Sequence, residues 1–209
     1  YVSNIESKPD EYWANDGKGF ISRLKPDGKV DAIRWRTSTP KCVLNAPKGM
    51  CIVGRTLYVA DNSRVVTFSL TGAGTGVIKV PGAKQLNDMA TDGKVPYVSD
   101  TETGKVYRLD VSGRGKHHVI RGPKSVNGIA FWKGRMYGVS WDLHDVYELD
   151  PSGKSDPKPF GLARHFQNLD GIEVLGDGSF VVSDFTGNQV CLIAPNRKSV
   201  AQVAACESP

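Results

Sequence analysis

The chain has little of what marks the commoner metal and redox sites. Among 209 residues there are four cysteines and four histidines, and no cysteine stands in a CxxC or CxxCH spacing. Zinc ribbons, thioredoxin-type centres and c-type haem attachment lose their signature. No apolar segment approaches the roughly 18 residues that span a bilayer, so no membrane span is expected. Basic residues outnumber acidic ones only 27 to 22, a net charge of +5, and no long Lys/Arg run occurs. The densest groups, Lys116-His117-His118 and Arg197-Lys198, lack interleaved aromatics for base stacking, and no nucleic-acid partner is expected. There is no Gly-x-Ser-x-Gly elbow. The glycine-rich run from Gly72 to Gly76 is not followed by the Lys-Ser/Thr of a phosphate loop and reads as a turn. No stretch carries helical periodicity.

What the chain does have is a short phrase that returns four times: Lys48-Gly49-Met50, Asn87-Asp88-Met89, Asn127-Gly128-Ile129 and Asp170-Gly171-Ile172, at intervals of 39, 40 and 43. A period near forty built of strand-like pieces predicts a β-propeller. Aligned on that period, each unit holds four strands. They are expected at 49–53, 56–60, 64–68 and 76–80; at 88–91, 95–99, 105–109 and 117–120; at 128–131, 135–140, 145–149 and 154–160; and at 171–174, 179–183, 189–193 and 199–203. Period-two alternation in Lys105-Val106-Tyr107-Arg108-Leu109 supports half-buried strands, and Asp-Gly and Ser-Gly pairs such as Asp92-Gly93 and Ser152-Gly153 fall between them.

The expected fold is all-β: one propeller domain, with blades at 45–84, 85–124, 125–166 and 167–209 after a partial first blade at 1–44. In that first unit Tyr1-Val2-Ser3-Asn4 matches the second strand of a blade, Tyr97-Val98-Ser99-Asp100. The expectation is a six-bladed propeller represented by about five blades and incomplete at both ends, since a closed ring leaves no unpaired edge. The cysteine spacing permits Cys42–Cys51 and Cys191–Cys206 disulfides in an oxidising compartment, and equally four free thiols. The first alternative, with a removed leader, leans towards a periplasmic or secreted protein.

The inner strand of a blade begins, and the second strand ends, at the same mouth of the channel. Lys48, Asn87, Asn127 and Asp170 are thus expected to converge there, with Asn4, Asp61, Asp100, Trp141 and Asp184 as a second ring. Oxygen donors from successive blades suit a hard cation such as Ca²⁺ or Mg²⁺. Lys48, Asp88, Trp141 and Asp184 are the candidate substrate contacts. His117 and His118 fall on an outer strand and His144 opens a third strand; only His165 lies in a loop leading to Asp170.

The phrases Leu86-Asn87-Asp88, Ser125-Val126-Asn127-Gly128-Ile129-Ala130 and Asn168-Leu169-Asp170-Gly171-Ile172, in that order, resemble the inner strands of the senescence marker protein/gluconolactonase (regucalcin-like) family. Diisopropyl-fluorophosphatase-type hydrolases are similar to it, and the units also look NHL-like. The resemblance implies a six-bladed propeller with a divalent cation in its channel, usually calcium, with Mg²⁺ or Zn²⁺ as alternatives. It makes Asn127 and Asp170 metal ligands, Asn87 a ligand or substrate contact, and Asp170 the nucleophile or general base. Two departures stand out. The family's first-blade Glu would lie before Tyr1, and Lys48 occupies a channel position where its charge repels a cation. Two functions remain: a metal-dependent hydrolase of a small lactone or related ester, and a non-catalytic propeller that binds a ligand or a protein partner.

Overall fold

The computed structural model describes residues 1–206 and consists of five antiparallel sheets arranged as a β-propeller. The first sheet has three strands, β1 (Val2–Asn4), β2 (Phe20–Leu24) and β3 (Val30–Thr37). The second contains β4 (Pro47–Val53), β5 (Thr56–Asp61), β6 (Arg64–Ser69) and β7 (Thr75–Lys79). The third contains β8 (Leu86–Thr91), β9 (Pro96–Asp100), β10 (Lys105–Arg108) and β11 (His118–Arg121). The fourth contains β12 (Val126–Trp132), β13 (Arg135–Ser140), β14 (Val146–Leu149) and β15 (Lys158–Pro159). The fifth contains β16 (Leu169–Val174), β17 (Phe180–Asp184), β18 (Gln189–Ile193) and β19 (Val200–Ala205). Two single 3₁₀ turns, Pro9–Glu11 and Ala163–His165, lie outside the sheets.

Side-chain alternation divides each strand between two cores, one on either side of its blade. In β5, Leu57 and Val59 pack towards the first sheet, whereas Tyr58 and Ala60 pack towards the third. In β10, Val106 joins the seam with the fourth sheet and Tyr107 the seam with the second. Four such seams stack the five sheets, and the inner strands β4, β8, β12 and β16 follow one another around the channel, with β1, a second strand, beside β4. Cys42 lies in the seam between the first two sheets and Cys51 in the next one, so the two cannot pair. All four cysteines are free thiols, and burial pushes Cys51 up to about 12.

The recurring phrase proves to be a β-bulge. Pro47, Leu86, Val126 and Leu169 pair with Asp61, Asp100, Ser140 and Asp184; the ladder resumes at Met50, Met89, Ile129 and Ile172. Two inner-strand residues therefore oppose one, and the extra residue turns the strand at the channel. This is why each inner strand begins two residues before its expected start. Bulges of adjacent blades touch: a Cβ at Gly49 would stand 2.3 Å from Asp88 Oδ1, and one at Gly128 2.6 Å from the Asp170 carbonyl oxygen. The fourth blade's outer strand shrinks to Lys158–Pro159 from the expected 154–160. Asp150 holds Ser152, Lys154 and Ser155 in a turn, and Pro157 and Pro159 have no N–H to donate.

The aspartates that end the second strands are latches inside the blades. Asp61 accepts the backbone N–H groups of Asn45 and Ala46 at 2.9 and 2.8 Å, and Asp100 those of Lys84 and Gln85 at 3.0 Å each. Asp184 accepts those of Gln167 and Asn168, together with the Gln189 side chain. All three are fully buried. Asp100→Ala strands two donors, and stability is expected to fall by at least about 2 kcal/mol, or roughly 4–8 °C in Tm by circular dichroism. Asp27→Ala, on an exposed turn, should stay within about 0.5 kcal/mol. At the seams, Gly128→Ala should destabilise measurably in urea titration, while Gly176→Ala, with open space around it, should not.

Candidate channel site

A cavity of about 920 Å³ opens where the inner strands converge, and it brings together Lys48, Asn87, Asp88, Asn127, Trp141 and Asp170. Its floor is the row of bulges. Asn127 donates from Nδ2 to Asp170 Oδ1 at 2.6 Å, tying the fourth blade to the fifth. Asn87 donates to Thr101 Oγ1 at 3.2 Å, and that hydroxyl donates to the Val126 carbonyl.

Asp88 stands where the other three phrases have glycine. Its Oδ2 accepts the Ile129 N–H at 2.8 Å, so a carboxylate fills the space that Gly49 and Gly128 leave for a neighbouring strand. Burial pushes Asp88 up to about 7 against the pull of the Ile129 and Met89 N–H groups, and the charges of Glu173 and Asp170 push the same way. Asp170 is also held above the usual carboxylate range by burial, with the Asn127 hydrogen bond opposing. Glu173, three residues beyond Asp170 on β16, lines the same cavity, and partial desolvation raises its carboxyl too. Sequence reasoning missed it; its i+3 spacing from a bulged residue was the only signal.

Lys48 lines the cavity but its ammonium is already engaged. Nζ donates to the Tyr12 carbonyl at 2.8 Å and the Ala46 carbonyl at 3.3 Å, and lies 3.7 Å from the centre of the Trp13 ring. Burial lowers its pKa to about 8, with the charge of Asp61 acting in the opposite direction.

The second ring is not at the mouth as expected. Asp61, Asp100 and Asp184 are spent on the latches described above, and Asn4 donates to Val2 and Ser22. Asp184 does not line the cavity, so the expectation of a substrate contact there is corrected. Trp141 lines it, but from one position further along. Ser140 takes the register of the aspartates, opposite Val126, and Trp141 follows it, stacked at 5.5 Å on Phe185. The histidines are elsewhere: His117 and His118 bond the Lys79 and Ser152 carbonyls at the rim.

Among the described residues no group of three or more His, Cys, Asp or Glu side chains is gathered for a metal ion. The donor set that could hold a cation is Asp170 with the amide oxygens of Asn87 and Asn127. These are hard oxygen donors, which fit Ca²⁺ or Mg²⁺ better than Zn²⁺.

No family model and no curated protein matches this chain. Solved structures do. Virginiamycin B lyase from Staphylococcus aureus, crystallised as an inactive H270A variant with quinupristin, superposes with a TM-score of 0.66 at 11% identity over 87% of this chain and 61% of that one. A streptogramin B lyase gives 0.67 at 12% over 90% and 62%. A propeller in a nidogen/laminin complex gives 0.76 at 13% over 92% and 77%. The chain thus spans about three fifths of the lyases' length. At these identities the likeness is one of fold: a β-propeller that elsewhere serves both a lyase and a protein complex.

Asp88 carries a pH signature. Its folded-state pKa lies above the unfolded one, so its contribution to stability is full below about pH 4 and is lost as pH rises through about 7. Asp88→Asn keeps an oxygen for the Ile129 N–H and removes the titration. Urea unfolding of this variant at pH 4, 5.5 and 7.5 should show a shallower decline than the parent.

Proposed function

We propose that the chain is a gluconolactonase-like hydrolase acting on a lactone or related ester, with its site at the floor of the channel cavity. The observation that carries this reading is the half-buried Asp170 carboxylate, held through Oδ1 by Asn127, with no second hydrogen bond among the described residues. Its raised pKa makes it a better proton acceptor than an ordinary aspartate, and Asn127 fixes its orientation. Asp170 would take a proton from a water attacking the carbonyl carbon and return it to the departing alkoxide. Asn87, Asn127 and Asp170 would hold a divalent cation, whose chemistry there is to polarise the carbonyl oxygen as a Lewis acid. Asp88 and Glu173 add negative charge around that position, which offsets the absence of a carboxylate at Lys48.

The second reading is a non-catalytic binding module, favoured by the neighbour from a nidogen/laminin complex and by a Lys48 ammonium consumed in structure. One experiment separates them. Calorimetric titration with calcium should show binding to the parent and at least about a hundredfold weaker binding to Asp170→Asn, since a lone charge-bearing ligand has been neutralised. Lactone hydrolysis followed in a pH-stat should vanish in the same variant. A parent that binds no calcium and opens no lactone leaves the binding module as the function.

A further inference from the structure

At the channel mouth the turns from second to third strand are short in four blades: residues 62–63, 101–104, 141–145 and 185–188. In the first sheet the same connection, between β1 and β2, runs from 5 to 19. A connection that long is uncommon in a compact domain. Its course is fixed from the second blade. Asn62 Nδ2 lies 3.2 Å from the Trp13 carbonyl, 3.1 Å from that of Ala14 and 2.8 Å from Asn15 Oδ1, while Lys48 Nζ bonds the Tyr12 carbonyl and sits on the Trp13 ring.

The residue immediately after each second strand is Ile5, Asn62, Thr101, Trp141 or Phe185. All but Asn62 line the cavity. Asn62 instead holds the long segment, and that segment supplies Tyr12 and Trp13 to the cavity in its place. Towards the mouth the lining is mainly Ile5, Tyr12, Trp13, Trp141 and Phe185, and its polar groups are the Tyr12 and Thr101 hydroxyls and the Gln85 side chain. A polyhydroxylated ring needs donors and acceptors along its whole outline; this mouth offers aromatic faces.

Building on the hydrolase reading, we propose that the substrate is a lactone or ester with an aromatic or flat apolar body that packs on Trp13 and Trp141, and that Lys48 is the positioning residue for Trp13. The reaction is ordinary hydrolysis. Water oxygen bonds to the carbonyl carbon, the ring C–O bond breaks, and the departing oxygen takes the proton, giving a hydroxy acid with no redox change.

The test compares dihydrocoumarin, glucono-δ-lactone and γ-butyrolactone as substrates, and coumarin as an unreactive ligand titrated calorimetrically. Dihydrocoumarin should exceed glucono-δ-lactone in kcat/KM by at least about tenfold, the scale of one aromatic contact. Trp13→Ala should raise KM for dihydrocoumarin by about tenfold with kcat unchanged, Trp13→Phe should restore most of it, and KM for γ-butyrolactone should not move. Lys48→Met should give the same KM-only effect in smaller degree, and Lys48→Arg should reverse part of it. Preference for the sugar lactone, or a Trp13→Ala effect equal for all three substrates, overturns the inference. The coumarin titration keeps the two readings apart. Trp13-dependent coumarin binding without lactone hydrolysis upholds the apolar-ligand site and removes the hydrolase; coumarin binding no tighter in the parent than in Trp13→Ala removes the apolar-ligand site whatever is hydrolysed.

Discussion

In three of the five sheets the register at the channel depends on a carboxylate buried at the end of the second strand. The segment that leads into an inner strand arrives with two adjacent backbone N–H groups pointing away from any ladder. Such donors are costly to bury without partners, at about 1–3 kcal/mol each. Asp61, Asp100 and Asp184 each accept both, at the point where the second strand of the same blade ends. The latch fixes where pairing starts, at Pro47, Leu86 and Leu169, and so fixes which two residues must bulge. The polar row at the channel is a consequence of that register. A slip of one residue would rotate Asn87 or Asp170 out of the channel and into a seam.

The charges divide accordingly. Aspartates that latch are satisfied by backbone donors, and Asp61 also by the Arg64 guanidinium at 2.9 Å. At the floor Asp88 accepts the Ile129 N–H, whereas Asp170 has the Asn127 side chain and no backbone donor among the described residues. Asp88, Asp170 and Glu173 all have their carboxyls raised by desolvation, and the charges of the other two reinforce the effect on Asp88. The cation on the cavity wall, Lys48, is itself disfavoured as an ion and is occupied by two carbonyls and an indole face. The floor therefore holds three carboxyls whose ionisation desolvation disfavours, a condition typical of functional sites.

The fold was legible because it repeats: a phrase that returns every forty residues reports a bulge that four of the five sheets share. The seams were legible too, since alternation such as Val106-Tyr107 reads directly as two faces. The second ring was not. An aspartate at a strand end looks the same in sequence whether it faces a channel or two backbone N–H groups behind it, and only register distinguishes them. The same ambiguity misplaced Trp141 among the aspartates, when Ser140 holds their position. The clasp on Trp13 was illegible for a different reason: it joins Asn62 and Lys48 to residues nearly fifty and thirty-six positions away, across a blade boundary, and periodicity carries no information about a loop that does not repeat.

What repeats and what departs from the repeat do different work. Latches, bulges and seams recur because each blade must solve the same packing problem, and they say nothing about chemistry. Some departures lie elsewhere, such as Ser140 in the register of the latch aspartates and the short outer strand of the fourth blade, but several reach one cavity: Asp88 where the phrase has glycine, Lys48 where it has an amide or carboxylate, Trp141 and Phe185 where a short turn could be polar, and a long first-sheet connection that delivers Trp13. Their convergence on one mouth is the physical reason to treat that cavity, rather than the rim or the outer strands, as the place where this protein acts.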